Sequence, residues 1–110
     1  MLRLLDSGFV LVADDQVEVL DGIARPAPAL SGLLEVRGLG ILTLPYMAQA
    51  KVVLAVQLGS GPRLPEPMRH EMLGIPLVTI DPAAASAPSR VNLALDCALG
   101  RVGQVAGAFA

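Results

Sequence analysis

Apolar positions along this 110-residue chain come in short blocks separated by turn-forming residues. The opening MLRLLDSG reads as the last turns of a helix. Leu2, Leu4 and Leu5 are apolar, and Gly8 stands where a helix-terminating glycine belongs. The chain thus reads as starting partway through an element. FVLVADD, residues 9–15, is a continuous apolar run closed by Asp14 and Asp15, the pattern of a strand buried on both faces. QVEVL alternates with period two, Asp21-Gly22 is a strong turn signal, and IARPAP follows as the returning arm of a hairpin.

APALSG is a loop leading into LLEVRGLGILTL, residues 33–44. Leu33, Leu34, Val36, Leu39, Ile41 and Leu42 suit a buried strand, yet Glu35 and Arg37 interrupt them. Period-two geometry sets that carboxylate and guanidinium on one face, opposite Leu34 and Val36. AKVVLAVQL, residues 50–58, is β-branched-rich and predicts a central strand. GSGPRLPEP has three prolines and two glycines in nine residues and must be loop. GIPLVTID predicts another strand that ends in an acid, Asp81. PAAASAPS is a connection whose Ser89 is placed to N-cap a last helix from about Arg90 to Phe109. Gly100, Gly103 and Gly107 weaken that helix, each by about 1 kcal/mol against alanine. No internal repeats occur. The order is a helix stub, several strands and a terminal helix, with hairpin and crossover signals together. It predicts one α/β domain with a mixed sheet over residues 1–110.

Composition supports a packed core: 54% of residues are hydrophobic and 16% charged, with mean hydropathy +0.62. Aromatic residues are only 3%, so the core is built from Leu, Val, Ile and Ala. A net charge of −2 without any Lys/Arg run argues against a nucleic-acid partner. The lone Cys97 forms no intramolecular disulfide, which fits a reducing compartment. The amino end meets Asp6 before any run long enough for a secretory signal. The apolar tail VNLALDCALGRVGQVAGAFA is broken by Asp96, Arg101 and Gln104, so it reads as a docked helix and not a membrane span. A cytoplasmic protein without a membrane partner is the expectation.

Candidate chemistry lies in few residues. A hydrophobic strand ending in Asp14-Asp15 has the form of a Walker B element. Such an element sets one carboxylate near Mg²⁺ and another near an attacking hydroxyl or water. Taken alone, a polar turn explains VADDQ equally well. Cys97 reads as a small core residue, and Met47, Met68 and Met72 as gap-fillers. Lys51 reads as a strand-edge charge, and His70, between Arg69 and Glu71, as a solvent-facing loop or helix residue.

In order and spacing, LVADDQVEV, LLEVRGLGIL, PRLPEP and IPLVTIDP resemble the carboxy-terminal catalytic domain of HPr kinase/phosphorylase, in its short proteobacterial form. LEVRGLGI is the most specific of these, being close to that family's signature. The resemblance runs from Leu2 to about Leu99. It implies a P-loop-containing, phosphoenolpyruvate-carboxykinase-like α/β fold, here truncated at the amino end and closed by a carboxy-terminal helix. It also implies an ATP- and Mg²⁺-dependent serine kinase acting on the HPr-type phosphocarrier of the sugar phosphotransferase system, with phosphorolysis as the reverse direction. By the same resemblance Asp15 is the base toward the serine hydroxyl and Asp14 its neighbour in the acidic pair. Glu35 is the Mg²⁺ ligand, Arg37 steadies phosphate or Glu35, and Arg63 is a catalytic arginine.

The chain departs from the family in two places. G-x-x-x-x-G-K-[ST], the phosphate-binding loop, occurs nowhere in it, so neither the lysine for the β/γ-phosphates nor the Mg²⁺-binding hydroxyl is present. The basic PVRPGRN-type segment tied to phosphate removal is replaced by DPAAASAPSR, with Arg90 its one cation. Two alternatives follow: a non-catalytic remnant or fragment that keeps the fold and a docking role, or a generic small α/β ligand-binding domain. A sheet lacking its phosphate-loop strand exposes backbone, and the resemblance implies oligomers, so a homo-oligomer is expected.

Overall fold

The computed structural model describes residues 2–14 and 16–110 and divides into two compact units, Met1–Val52 and Val53–Ala110. The first unit opens with helix α1 (Leu2–Asp6). Of the segment expected as a buried strand over residues 9–15, the described residues make an isolated parallel bridge, Leu11 to Tyr46, with the Met47 N–H donating to the Leu11 carbonyl at 2.7 Å. Bends at Val12 and Asp14 stop it from continuing as a ladder. Strands β1 (Val17–Leu20) and β2 (Ile23–Pro26) form the expected antiparallel hairpin, in register from Val17 opposite Pro26 to Leu20 opposite Ile23. Asp21 and Gly22 (φ 52° and 76°) turn it in the mirror-image sense that matches strand twist.

A 3₁₀ turn, Pro28–Leu30, leads into a second hairpin of β3 (Leu33–Val36) and β4 (Gly40–Thr43). The apolar run of residues 33–44 is therefore two strands. Leu34 and Val36 are buried, and with Leu11 they form the core of the unit, flanked by Leu5, Leu42 and Leu44. Burial alternates along β3 as period two dictates. The free edge of β2 takes β5 (Ala50–Lys51), pairing Ile23 with Lys51 and Ala24 with Ala50.

The second unit pairs β6 (Ala55–Leu58) with β7 (Leu77–Ile80) in parallel, from Ala55 opposite Leu77 to Leu58 opposite Ile80. The expected strand over residues 50–58 is thus split into β5 and β6, on either side of the boundary between units. Helix α2 (Ala87–Ala98) begins earlier than expected, with Ser86 at its N-cap and a proline in the first turn, where proline's preset φ suits a helix start. It stops well short of Phe109. The Arg101 N–H reaches back to the Asp96 carbonyl at 2.8 Å and the Gly100 N–H to that of Cys97 at 3.1 Å, a Schellman-type end. The residues beyond fold back, so Ala108 and Phe109 pack on the buried Val78, Ile80 and Ala87 beside Leu54, Val56, Val91 and Ala94.

The architecture is a mixed α/β fold with a carboxy-terminal helix. Parallel and antiparallel pairings lie in separate small sheets, where one mixed sheet was expected. Among the described residues, no helix is long and apolar enough to cross a membrane.

Candidate functional site

Glu35 is the acidic residue of the LEVRGLGI segment, and β3 positions it. It lies between buried Leu34 and Val36, so its carboxylate stands on the opposite, exposed face of the hairpin, across from Ile41 of β4. A shallow hollow of about 80 Å³ opens there, lined by Leu30, Leu33, Glu35 and Ile41. The carboxylate is its one charged group, set among aliphatic side chains.

Arg37 does not share the strand with Glu35. β3 ends at Val36, and Arg37 occupies the turn that follows. The Leu39 N–H donates to the Val36 carbonyl at 2.9 Å and Gly38 has φ 86°, so residues 36–39 form a type II turn with glycine at the position that needs positive φ. The R-G-L-G sequence is therefore turn chemistry, and the expected single strand face carrying both charges is replaced by a strand and a turn. Among the described residues Glu35 and Arg37 form no ion pair; the ion pair found is Arg101 with Asp96, at 3.5 Å, in the second unit.

Asp14 is half-buried in the bend after the Leu11 bridge. Asp15, the residue expected to act as base, lies outside the described residues. Arg63 belongs to the second unit, exposed in the loop between β6 and β7, as its Pro/Gly-rich surroundings predict. That loop borders an apolar hollow of about 210 Å³ lined by Pro62, Pro65, Pro67, Met68, Leu77 and neighbouring residues.

The described residues hold no group of three or more His, Cys, Asp or Glu side chains able to cage a metal ion. Glu35 fits a different mode, that of Mg²⁺. That ion keeps most of its waters and leans on one or two carboxylates plus substrate phosphates. An exposed carboxylate outside any ion pair among the described residues can supply such a single oxygen. ATP fits less well, because no stretch of the chain supplies the glycine-rich backbone cradle and lysine that a triphosphate requires.

The chain's fold is similar to that of the HPr(Ser) kinase/phosphatase from Coxiella burnetii. The TM-score is 0.68 and the sequence identity 23%, covering 93% of this chain and 80% of that one. No family model matches the chain, and no curated protein matches it.

Proposed function

We propose that this chain, both units together, is an HPr kinase/phosphorylase-like domain. It would serve an ATP- and Mg²⁺-dependent protein serine kinase that acts on an HPr-type phosphocarrier. The observation that carries the reading is the likeness of fold over 93% of the chain to an HPr(Ser) kinase/phosphatase. The motif residues retained from Asp14 to Arg63 add to it. Phosphoryl transfer asks mainly for positioning and charge neutralisation, and the proposed residues are of the types those tasks need. Asp15 would accept the proton of the acceptor serine hydroxyl, with Asp14 as its neighbour. Glu35 would give Mg²⁺ one carboxylate oxygen; the ion, when bound, neutralises phosphate charge. Arg63 and Arg37 would hold the negative charge of the phosphoryl group. The triphosphate cradle is the part that these 110 residues lack, so catalysis requires it from elsewhere.

That same lack favours a second reading, a non-catalytic domain that keeps the fold and docks the phosphocarrier. One titration separates the two. The chain is titrated with a fluorescent ATP analogue with and without Mg²⁺, while circular dichroism on the same sample establishes that it is folded. The kinase reading expects Mg²⁺-dependent binding whose metal-dependent part Glu35→Gln abolishes. Folded protein that binds no nucleotide in either condition means that these residues carry no nucleotide site of their own, and the docking role then leads.

A further inference from the structure

The chain has one histidine, His70, and it fastens a loop that the proposed phosphoryl transfer does not use. In the second unit the segment from Met68 to Leu77 is drawn closed at its base. The Leu77 N–H donates to the Met68 carbonyl at 2.9 Å, and Arg69 bridges antiparallel to Pro76. Inside that base the His70 N–H donates to the Ile75 carbonyl at 2.8 Å and the Gly74 N–H to the His70 carbonyl at 2.9 Å. Arg69 Nη1 donates to the Gly74 carbonyl at 2.7 Å. The imidazole closes the tip: its Nδ1 accepts the backbone N–H of Met72 at 3.3 Å and of Leu73 at 3.1 Å. A ring nitrogen that accepts carries no proton, so this contact requires the neutral ring with its hydrogen on Nε2.

We propose that His70 is a proton-operated clasp. Neutral, it holds the turn at residues 71–73 closed; protonated, it releases that turn and reshapes the hollow behind it. Protonation converts Nδ1 from acceptor to donor, leaving an N–H aimed at two other N–H groups. The hollow, about 450 Å³, is lined by Gln57 of β6, Leu77 of β7, and Met68, Arg69, His70, Glu71 and Met72 of the loop. The charged groups that share this lining with the ring are Arg69 and Glu71, of opposite sign. Both are exposed and screened by solvent, so the change from acceptor to donor decides the sign. The closed turn is present when the ring is neutral and is lost as pH falls through the ring's titration. Release frees the tip carrying Met72, already 89% exposed, and Leu73.

The test uses the full chain, in which a single imidazole makes the nuclear magnetic resonance assignment unambiguous. At high pH the ring is expected as the Nε2–H tautomer. As it titrates, amide protection at Met72 and Leu73, corrected for intrinsic exchange, is expected to fall about tenfold, the loss of roughly one net hydrogen bond. Val78 and Ile80 keep theirs. His70→Asn, which keeps a side-chain acceptor without a titrating ring, is expected to make that protection independent of pH, and His70→Ala to remove it at every pH. An Nδ1–H tautomer, or protection at Met72 and Leu73 that ignores the imidazole titration in the unmodified chain, overturns the proposal. The unmodified chain decides the matter even where a variant fails to fold.

Discussion

Replacing Leu34 by alanine is expected to lower the free energy of unfolding by about 3 kcal/mol, read from chemical denaturation followed by circular dichroism. Leu34 is 3% exposed and sits with Leu11 and Val36 at the centre of the first unit's core. That core holds few buried side chains, all aliphatic, and Leu5, Leu42 and Leu44 flank it. Few neighbours are free to collapse into the space, so the cavity term adds to the lost transfer energy. The control is Ile41→Ala on the other face of the same hairpin. Ile41 is 71% exposed, and its truncation is expected to stay within about 0.5 kcal/mol of the unmodified chain. Equal losses for the two variants would mean that the hairpin buries the wrong face. A loss near 3 kcal/mol is also a large share of the whole stability of a small domain.

Turn chemistry decides which elements are readable in the sequence. Asp21-Gly22 marks its hairpin because a two-residue loop of that type fits almost nothing else. The β3–β4 hairpin hides inside an apolar run, since a type II turn needs only Gly38 at one position, and Arg37 and Leu39 pass for strand residues. Period two therefore sets Glu35 on a strand correctly and Arg37 on one wrongly. The split between β5 and β6 falls between Val52 and Val53, where side-chain chemistry carries no break at all. At the other end, Gly100 has the look of a weak point within a helix and is instead where α2 stops. Arg63 is legible as a loop residue from the prolines around it, whereas the acidic pair is legible only as a pair. The role of His70 has no periodic signal, because side-chain bonds to nearby backbone N–H groups leave no pattern of apolar positions.

Fold and chemistry separate in this chain. A 23% identity carried by matching architecture leaves most side chains free to differ, and function lives in the few that a reaction touches. Glu35 illustrates the distinction. Its strand is held by Leu34 and Val36, which serve packing. The carboxylate itself adds nothing to that packing, standing exposed over a small apolar hollow. Substituting Glu35 therefore tests chemistry with little penalty in stability, which makes Glu35→Gln a clean variant for the nucleotide titration.

Gly32→Ala is expected to cost about 3 kcal/mol, for reasons that a paired variant can take apart. Gly32 precedes β3 with φ 73°, and a Cβ there would stand 2.9 Å from both the Leu44 carbonyl oxygen and Tyr46 Cδ1. The Tyr46 ring is partly exposed and can rotate away. The Leu44 oxygen is backbone, and the Leu44 N–H donates to the Gly32 carbonyl at 2.8 Å. Moving that oxygen means loosening the pairing that extends the β3–β4 hairpin toward the Leu11–Tyr46 bridge. Two terms therefore add: left-handed backbone strain of about 1 kcal/mol and steric displacement of about 2 kcal/mol. Gly38→Ala isolates the first. Gly38 has φ 86° in the turn of the same hairpin, and a methyl group added there meets no atom within 4 Å. Only the backbone term applies, and a loss of about 1 kcal/mol is expected. Denaturation curves of the two variants side by side read the steric term as their difference. If Gly32→Ala proves no worse than Gly38→Ala, the close approach of Leu44 to Gly32 is not what holds the start of β3, and the hairpin is anchored by its apolar face alone.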